Sequence, residues 1–353
     1  MLSVKEAKVV EILKEDQNIQ ELLVLVEDKE QKAYNYLNMA NKASVGNMVL
    51  INTTAVELSL GTGGYHFVIS NLNNKLKEQS KDGHIMKLRY TPMQIKVKSV
   101  EEFDEYKNKI EKFKTLDDLP VVTGLLHSML VPFACSYKYL NKNKKIVYIM
   151  TDEGALPAFL SNNIKVLKQK CIIDSVITCG NAFGGDYEAI NYKTAVIFAK
   201  ECLNADVIFI SMGPGITGTG TKYGFSGVDQ ANIIDCINLF KGKAIMIPRV
   251  SFADKRNRHY GFSHHMLTIL KDLTFTKAYI PVNIQDENKL DYVKRQIKEN
   301  NLEDKHEFIY LKEDITKEAL DYYQMKVRSM GRNYFDDEEF FKSCGGCAYY
   351  ISR

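Results

Sequence analysis

The chain of 353 residues has no tryptophan, only 7 prolines and no excess of charge of either sign. Its 47 basic and 44 acidic side chains leave a net charge of +3. That balance argues against a strongly basic coat for nucleic acid, and with 45% hydrophobic residues it argues against disorder. Cysteine is sparse and odd in number, at seven, and mostly scattered through apolar segments. Disulfide frameworks belong to small secreted chains with paired cysteines, so none is expected. The opening MLSVKEAKVVEILKED lacks the apolar core of a signal peptide. The expected compartment is the cytoplasm. Residues 119–137 (LPVVTGLLHSMLVPFACSY) carry no formal charge, but Pro120, Gly124, His127, Ser128 and Pro132 interrupt them. They read as a buried strand, a turn and a buried helix, with no membrane association.

What is present divides in two. At about 150 residues per domain, the length suggests two domains. Residues 1–98 carry short apolar runs at Lys8–Leu13, Ile19–Glu27, Asn47–Leu60 and Tyr65–Ile69, separated by polar or glycine-rich turns. They predict a small β-barrel or β-sandwich. Residues 99–118 form a charged helical linker. Residues 119–330 alternate apolar strands with amphipathic helices, the pattern of a Rossmann-like, doubly wound α/β domain with about six parallel strands. Residues 331–353 are left as a tail.

The connections that enter strands are plain and lysine-rich, such as NKNKK at 141–145. Those that leave strands carry Gly, His, Asp, Ser and Thr: GLLHS at 124–128, TDEGALP at 151–157, CGNAFGGD at 179–186, SMGPGITGTGTKYGFSG at 211–227 and RVSFADKRNRHYGFSHH at 249–265. Ligands of open α/β sheets bind outside the carboxyl ends of the strands. The functional face is therefore expected there.

The segments LGTGGYHFV, GHIMKLRYTPMQ, TDEGALP, AFGGDYEAIN, MGPGITGTGTKYGFSG and SFADKRNRHYGFSHH, in this order, resemble a bacterial family designated domain of unknown function 3866. The resemblance covers nearly the whole chain. It implies a β domain followed by a Rossmann-like domain and transfers no catalytic residue. Cys344 and Cys347 are not part of it.

Chemically, Gly213-Pro214-Gly215-Ile216-Thr217-Gly218 has the GxGxxG spacing, but Thr219, Gly220, Thr221 and Lys222 follow where a dinucleotide site needs a helix start. No cofactor is identified. The loop instead offers the backbone amides of Gly213, Gly215, Gly218, Thr219, Gly220 and Thr221 to an anion. Arg249, Arg256 and Arg258 supply matching charge, as guanidinium pairs with phosphate or carboxylate bidentately. His127, Asp152, His264 and His265 are the acid–base candidates. The adjacent His264 and His265 are expected to point apart, with one at most facing the site. Asp186 reads as a helix cap. Cys179, Ser211 and Ser128 are nucleophile candidates near strand ends, none in a GxSxG elbow. His259, His264 and His265 add titratable or metal-binding groups. A ligand set of His127, Asp152, Asp186 and His264 or His265 has acceptable donors, but no tight spacing supports it, and no metal is assigned. Cys344-Gly345-Gly346-Cys347 has no second cysteine pair and reads as packing.

Residues 71–98 hold Lys75, Lys77, Lys81, Lys87, Arg89, Lys96 and Lys98 against Glu78 and Asp82, with few aromatics nearby. A solvated face is expected there, which leaves single-stranded nucleic acid as the alternative ligand. The first reading is an enzyme for a small anionic substrate, with homo-oligomerisation left open. The alternative is a ligand-sensing or nucleic-acid-binding module acting through the β domain.

Overall fold

The computed structural model describes residues 2–73, 82–152, 154 and 156–353. Lys75, Lys77, Glu78, Lys81, Glu153 and Ala155 lie outside the described residues. The chain forms two compact units, Met1–Val97 and Lys98–Arg353.

The first unit is a closed barrel of β1 (Val4–Glu15), β2 (Ile19–Val26), β3 (Lys29–Tyr36), β4 (Met48–Asn52) and β5 (Tyr65–Asn71). The strand order is β1-β2-β3-β5-β4, with β1 also bonded to β4. The pair β3–β5 is parallel and the others are antiparallel. This is the order of a five-stranded Greek-key barrel of the OB type. Strict alternation on β2 sends Gln20, Leu22, Val24 and Val26 inward. β3 has no apolar run to mark it, because KEQKAYNY is polar and only Ala33 and Asn35 face the interior. Asn35 is held there by Nδ2 donating to Gln20 Oε1 at 2.9 Å. Asn47–Leu60 also departs from a continuous strand. After β4 it turns into a short helix at Thr54–Glu57, leaving Leu58 and Leu60 exposed. The strands β6 (Ile85–Lys87) and β7 (Ile95–Val97) pair as a small hairpin.

The second unit contains an eight-stranded, all-parallel sheet ordered β11-β10-β9-β12-β8-β13-β16-β17. Its strands are β8 (Pro120–Thr123), β9 (Ile146–Thr151), β10 (Ser175–Cys179), β11 (Tyr187–Ala189), β12 (Val207–Met212), β13 (Lys243–Met246), β16 (Tyr279–Val282) and β17 (Glu307–Tyr310). Between β13 and β16 lies a two-residue ribbon, β14 (Val250–Ser251) paired with β15 (Gly261–Phe262). The central strands β9 and β12 are buried at every residue, as expected of strands covered on both faces. The segment at 119–137 is β8, a turn of 3-10 helix and the start of a buried helix at Leu130–Leu140. Among the described residues, no helix is long and apolar enough to cross a membrane.

Asp186 does not cap a helix. It precedes the edge strand β11, and its carboxylate accepts from Val176 N (2.8 Å) at the opposite end of β10 from Cys179. The following helix starts at Tyr192 and is capped by Asn191, whose Oδ1 accepts from Lys193 N and Thr194 N. The 331–353 segment is no loose tail either. Glu338–Ile351 is a helix that buries Cys344 and Cys347 completely against the helix at Leu130–Leu140.

The winding positions the site. The chain passes from β8 outward through β9, β10 and β11, then returns to insert β12 between β9 and β8 before running on to β13. Right-handed crossovers send the connections after β8 and β9 over one face and that after β12 over the other. A crevice therefore opens above β9, β12 and β8, at the carboxyl ends.

Candidate functional site

The crevice is a cavity of about 340 Å³ lined by His127, Ser128, Ser161, Gly213, Gly215 and Arg328, among others. His127 follows β8 and is buried. Its Nε2 lies 2.7 Å from Ser161 Oγ, and its Nδ1 lies 3.1 Å from the Tyr148 hydroxyl. Tyr148 OH in turn reaches the Met212 carbonyl at 3.3 Å, and Ser161 Oγ accepts from Ile164 N at 3.2 Å. One tautomer satisfies this chain best. With the proton on Nδ1, His127 donates to Tyr148, Tyr148 donates to the carbonyl, and Ser161 donates to the bare Nε2. Burial holds the imidazole neutral, down to about 4. The arrangement has the form of an activated hydroxyl: serine, base and a third group that orients the base. Ser161 and Tyr148 were not singled out from the sequence, since 34 and 21 residues separate them from His127.

The Gly/Thr loop leaves β12 and arches back on itself. Thr219 N donates to Gly224 O (2.8 Å), and Ser226 N to Thr217 O (3.0 Å). The next α-helix begins only at Gln230, so no helix N-terminus faces the glycine run as a dinucleotide site requires. Gly215 (φ +104°) and Gly220 (φ +82°) occupy the left-handed region. Gly213 and Gly215 border the His127 cavity, and the far limb of the arch meets the basic loop. There a side chain at Gly220 would lie 3.1 Å from Arg258 Nη1, and Phe225 stacks on His265 with ring centroids 4.0 Å apart.

The basic loop follows β13, the neighbour of β8. Its three arginines differ. Arg256 is matched internally, its Nε and Nη2 donating to Asp254 at 2.9 and 2.7 Å. Asp254 also faces Arg332 at 3.6 Å, and Arg332 Nε donates to Asp337 at 3.0 Å. Arg258 is exposed. Arg249 is 6% exposed, and its Nη1 donates to His265 Nδ1 at 2.9 Å. No carboxylate lies within ion-pair distance of Arg249 among the described residues. Burial and the other arginines lower it to about 10, which leaves it charged at neutral pH.

His264 and His265 do not point apart. Their ring centroids lie 4.0 Å from each other and 5.1 and 5.3 Å from that of His259. Adjacent helical positions are about 100° apart, and these two stand in the first turn, beside a ribbon that carries His259 up to them. Burial first, then the neighbouring cations, lowers all three, His259 to about 4 and His265 to about 3. Asp152 joins neither group. Its Oδ2 accepts from Asn181 N (2.6 Å) and Asn181 Nδ2 (3.1 Å), tying down the turn after β10. With Asp186 at the other end of the sheet, the ligand set of His127, Asp152, Asp186 and His264 or His265 is not assembled. Cys179 is buried, and Ser211 sits behind Tyr148 at 3.2 Å.

Residues 32–348 match the family described as protein of unknown function DUF3866, a span that includes both glycine-rich loops, the basic loop and Cys344-Gly345-Gly346-Cys347. No curated protein and no solved structure matches the chain. The chain therefore belongs to the DUF3866 family, a family with no assigned function.

Proposed function

We propose that the α/β unit is an enzyme acting on a small anionic substrate, phosphate- or carboxylate-bearing, at the carboxyl edge of its sheet. One observation carries this reading. Arg249 is a buried guanidinium with five donor hydrogens, held against a neutral imidazole rather than a carboxylate. A buried charge without a counterion is costly, and a bound anion would supply one. Arg258 and the glycine amides of the Gly/Thr arch extend the cradle; the Thr219 amide does not, since it is bonded to Gly224 O. His127, neutral and accepting from Ser161, supplies proton transfer in the cavity that the near end of the same arch borders.

The test is Arg249→Met. Removing a buried, unmatched charge relieves its desolvation, so the variant should melt at least about 2 °C higher than the parent without ligand. It should also lose the stabilisation that inorganic phosphate or phosphorylated metabolites give the parent. Arg258→Ala should weaken such binding by roughly 10- to 100-fold, the value of a charge-assisted hydrogen bond. Anion-dependent stabilisation that survives in Arg249→Met would remove the site.

A second reading concerns the barrel. Tyr34 and Tyr65 stack on adjacent strands with centroids 4.1 Å apart, Phe67 continues the row at 6.2 Å from Tyr34, and Lys32 Nζ lies 5.5 Å from the Tyr65 ring. Such a row suits base stacking on a single strand. It lies outside the basic stretch singled out in the sequence, where Lys87 is buried. Salt-sensitive binding of a labelled oligonucleotide, weakened by Tyr34→Ala, would favour this reading.

A further inference from the structure

We propose that His259, His264 and His265 form a binding site for one divalent first-row metal ion of borderline softness, with zinc the best match. One ring nitrogen from each residue can be chosen so that all three lie within 4.8 Å of one another. Small side-chain rotations would close that triangle onto a common ion at about 2.0–2.1 Å.

The hydrogen bonding leaves two of the nitrogens available. His259 is 3% exposed, yet its Nδ1 has no partner, and the buried Nε2 of His264 has none either. Two orphaned imidazole nitrogens in one cluster are expensive for a fold to keep, unless a ligand meets them. His265 is fixed differently. Its Nδ1 accepts from Arg249 and Phe225 stacks on its ring, so the neutral ring carries its proton on Nε2 and its one lone pair is on Nδ1; ligation replaces the guanidinium hydrogen bond at that atom.

Three protein ligands without a fourth are the pattern of an open, reactive site rather than a closed structural one. The surroundings say what fills the open position. Arg249 and Arg258 stand beside the cluster, and Asp254 is already matched by Arg256 and Arg332. A bare dication is therefore repelled there, and an anion bridging ion and guanidinium removes the repulsion. Metal and anion should each tighten the binding of the other by the same factor, as linkage requires. That coupling rests on the anion reading above; the ligation by the three imidazoles does not.

The experiment uses the full chain, stripped with chelator and titrated with Co2+ as a visible probe and Zn2+ as competitor. The expected result is one ion per chain, with a four- or five-coordinate cobalt spectrum that lacks thiolate charge transfer, which excludes the exposed Cys171 as the ligand. His264→Ala, at a half-buried position, should fold normally by circular dichroism and bind at least about 100-fold more weakly. Inorganic phosphate should tighten cobalt binding in the parent and not in Arg249→Met. No stoichiometric ion, or unchanged affinity in both His264→Ala and His259→Gln, would overturn the site. Metal binding without the phosphate effect would uphold the imidazole ligation and overturn the coupling. Phosphate stabilisation of the metal-free protein reads the anion site separately.

Discussion

Gly346→Ala should destabilise the α/β unit by about 3 kcal/mol or more, and Gly345→Ala by a similar amount. Alanine in a helix interior is ordinarily better than glycine by about 0.5–1 kcal/mol, so the sign is reversed. The cause is distance. A β-carbon on Gly346 would stand 2.6 Å from Asn283 Cβ and 3.0 Å from its Nδ2. Asn283 cannot give way cheaply: it is fully buried, and its Nδ2 donates to the carbonyls of Glu313 and Lys342. A β-carbon on Gly345 would meet Thr316 Oγ1 at 2.0 Å and Thr316 Cβ at 2.9 Å. The C-terminal helix thus lies against its neighbours at a separation that only glycine permits. Cys344→Ala and Cys347→Ala delete buried volume without a clash and should cost less, about 1–2 kcal/mol each. Urea denaturation of the four variants checks the order. A Gly346→Ala midpoint equal to or above that of the parent would show that the helix sits farther out.

Acid should destabilise the same unit well before its carboxylates titrate. His127, His259 and His265 are held to about 4, 4 and 3, against about 6.5 for an unfolded histidine. As pH falls below 6.5, the unfolded chain takes up protons that the folded chain refuses. Stability is therefore complete above pH 6.5, declines through the interval down to about 4, and continues to fall for His265 to about 3. Each such histidine contributes a slope of up to about 1.4 kcal/mol per pH unit. Between pH 7 and 5, the three together should remove at least about 3 kcal/mol, measured as a drop in the free energy of urea unfolding. His127→Gln should shallow that slope, because one of the three protonations no longer discriminates. A flat profile from pH 7 to 5 would mean that these rings are hydrated in solution. Saturating zinc should hold stability up to lower pH, since protons and metal compete for the same nitrogens.

The alternation of apolar strands and helices from residue 119 onward is legible in the chain alone, and with it the parallel sheet and the edge from which the Gly-, His- and Ser-bearing loops leave. Those properties are local. A run such as Ile146–Met150 is apolar because both faces of its strand are covered. The loops that leave strands share one edge because parallel pairing turns every carboxyl end the same way. The polar strand Lys29–Tyr36 gave no such signal, since its inward residues are an alanine and an amide held by a distant glutamine. Asp186 resembled a helix cap because only the pairing of a three-residue edge strand carries it back across the sheet. The contacts that define the candidate site were decided entirely by tertiary structure. Ser161 reaches His127 because β9 and β8 flank the inserted β12. Arg249 has no carboxylate at ion-pair distance among the described residues because Asp254, which acts on it only from farther off, is bonded to Arg256 and faces Arg332. Three histidines converge because a two-residue ribbon folds residue 259 back beside the first turn of the next helix. Hydrophobic periodicity records which residues are buried; which polar groups meet depends on strand order and close packing, and neither leaves a local trace in the chain.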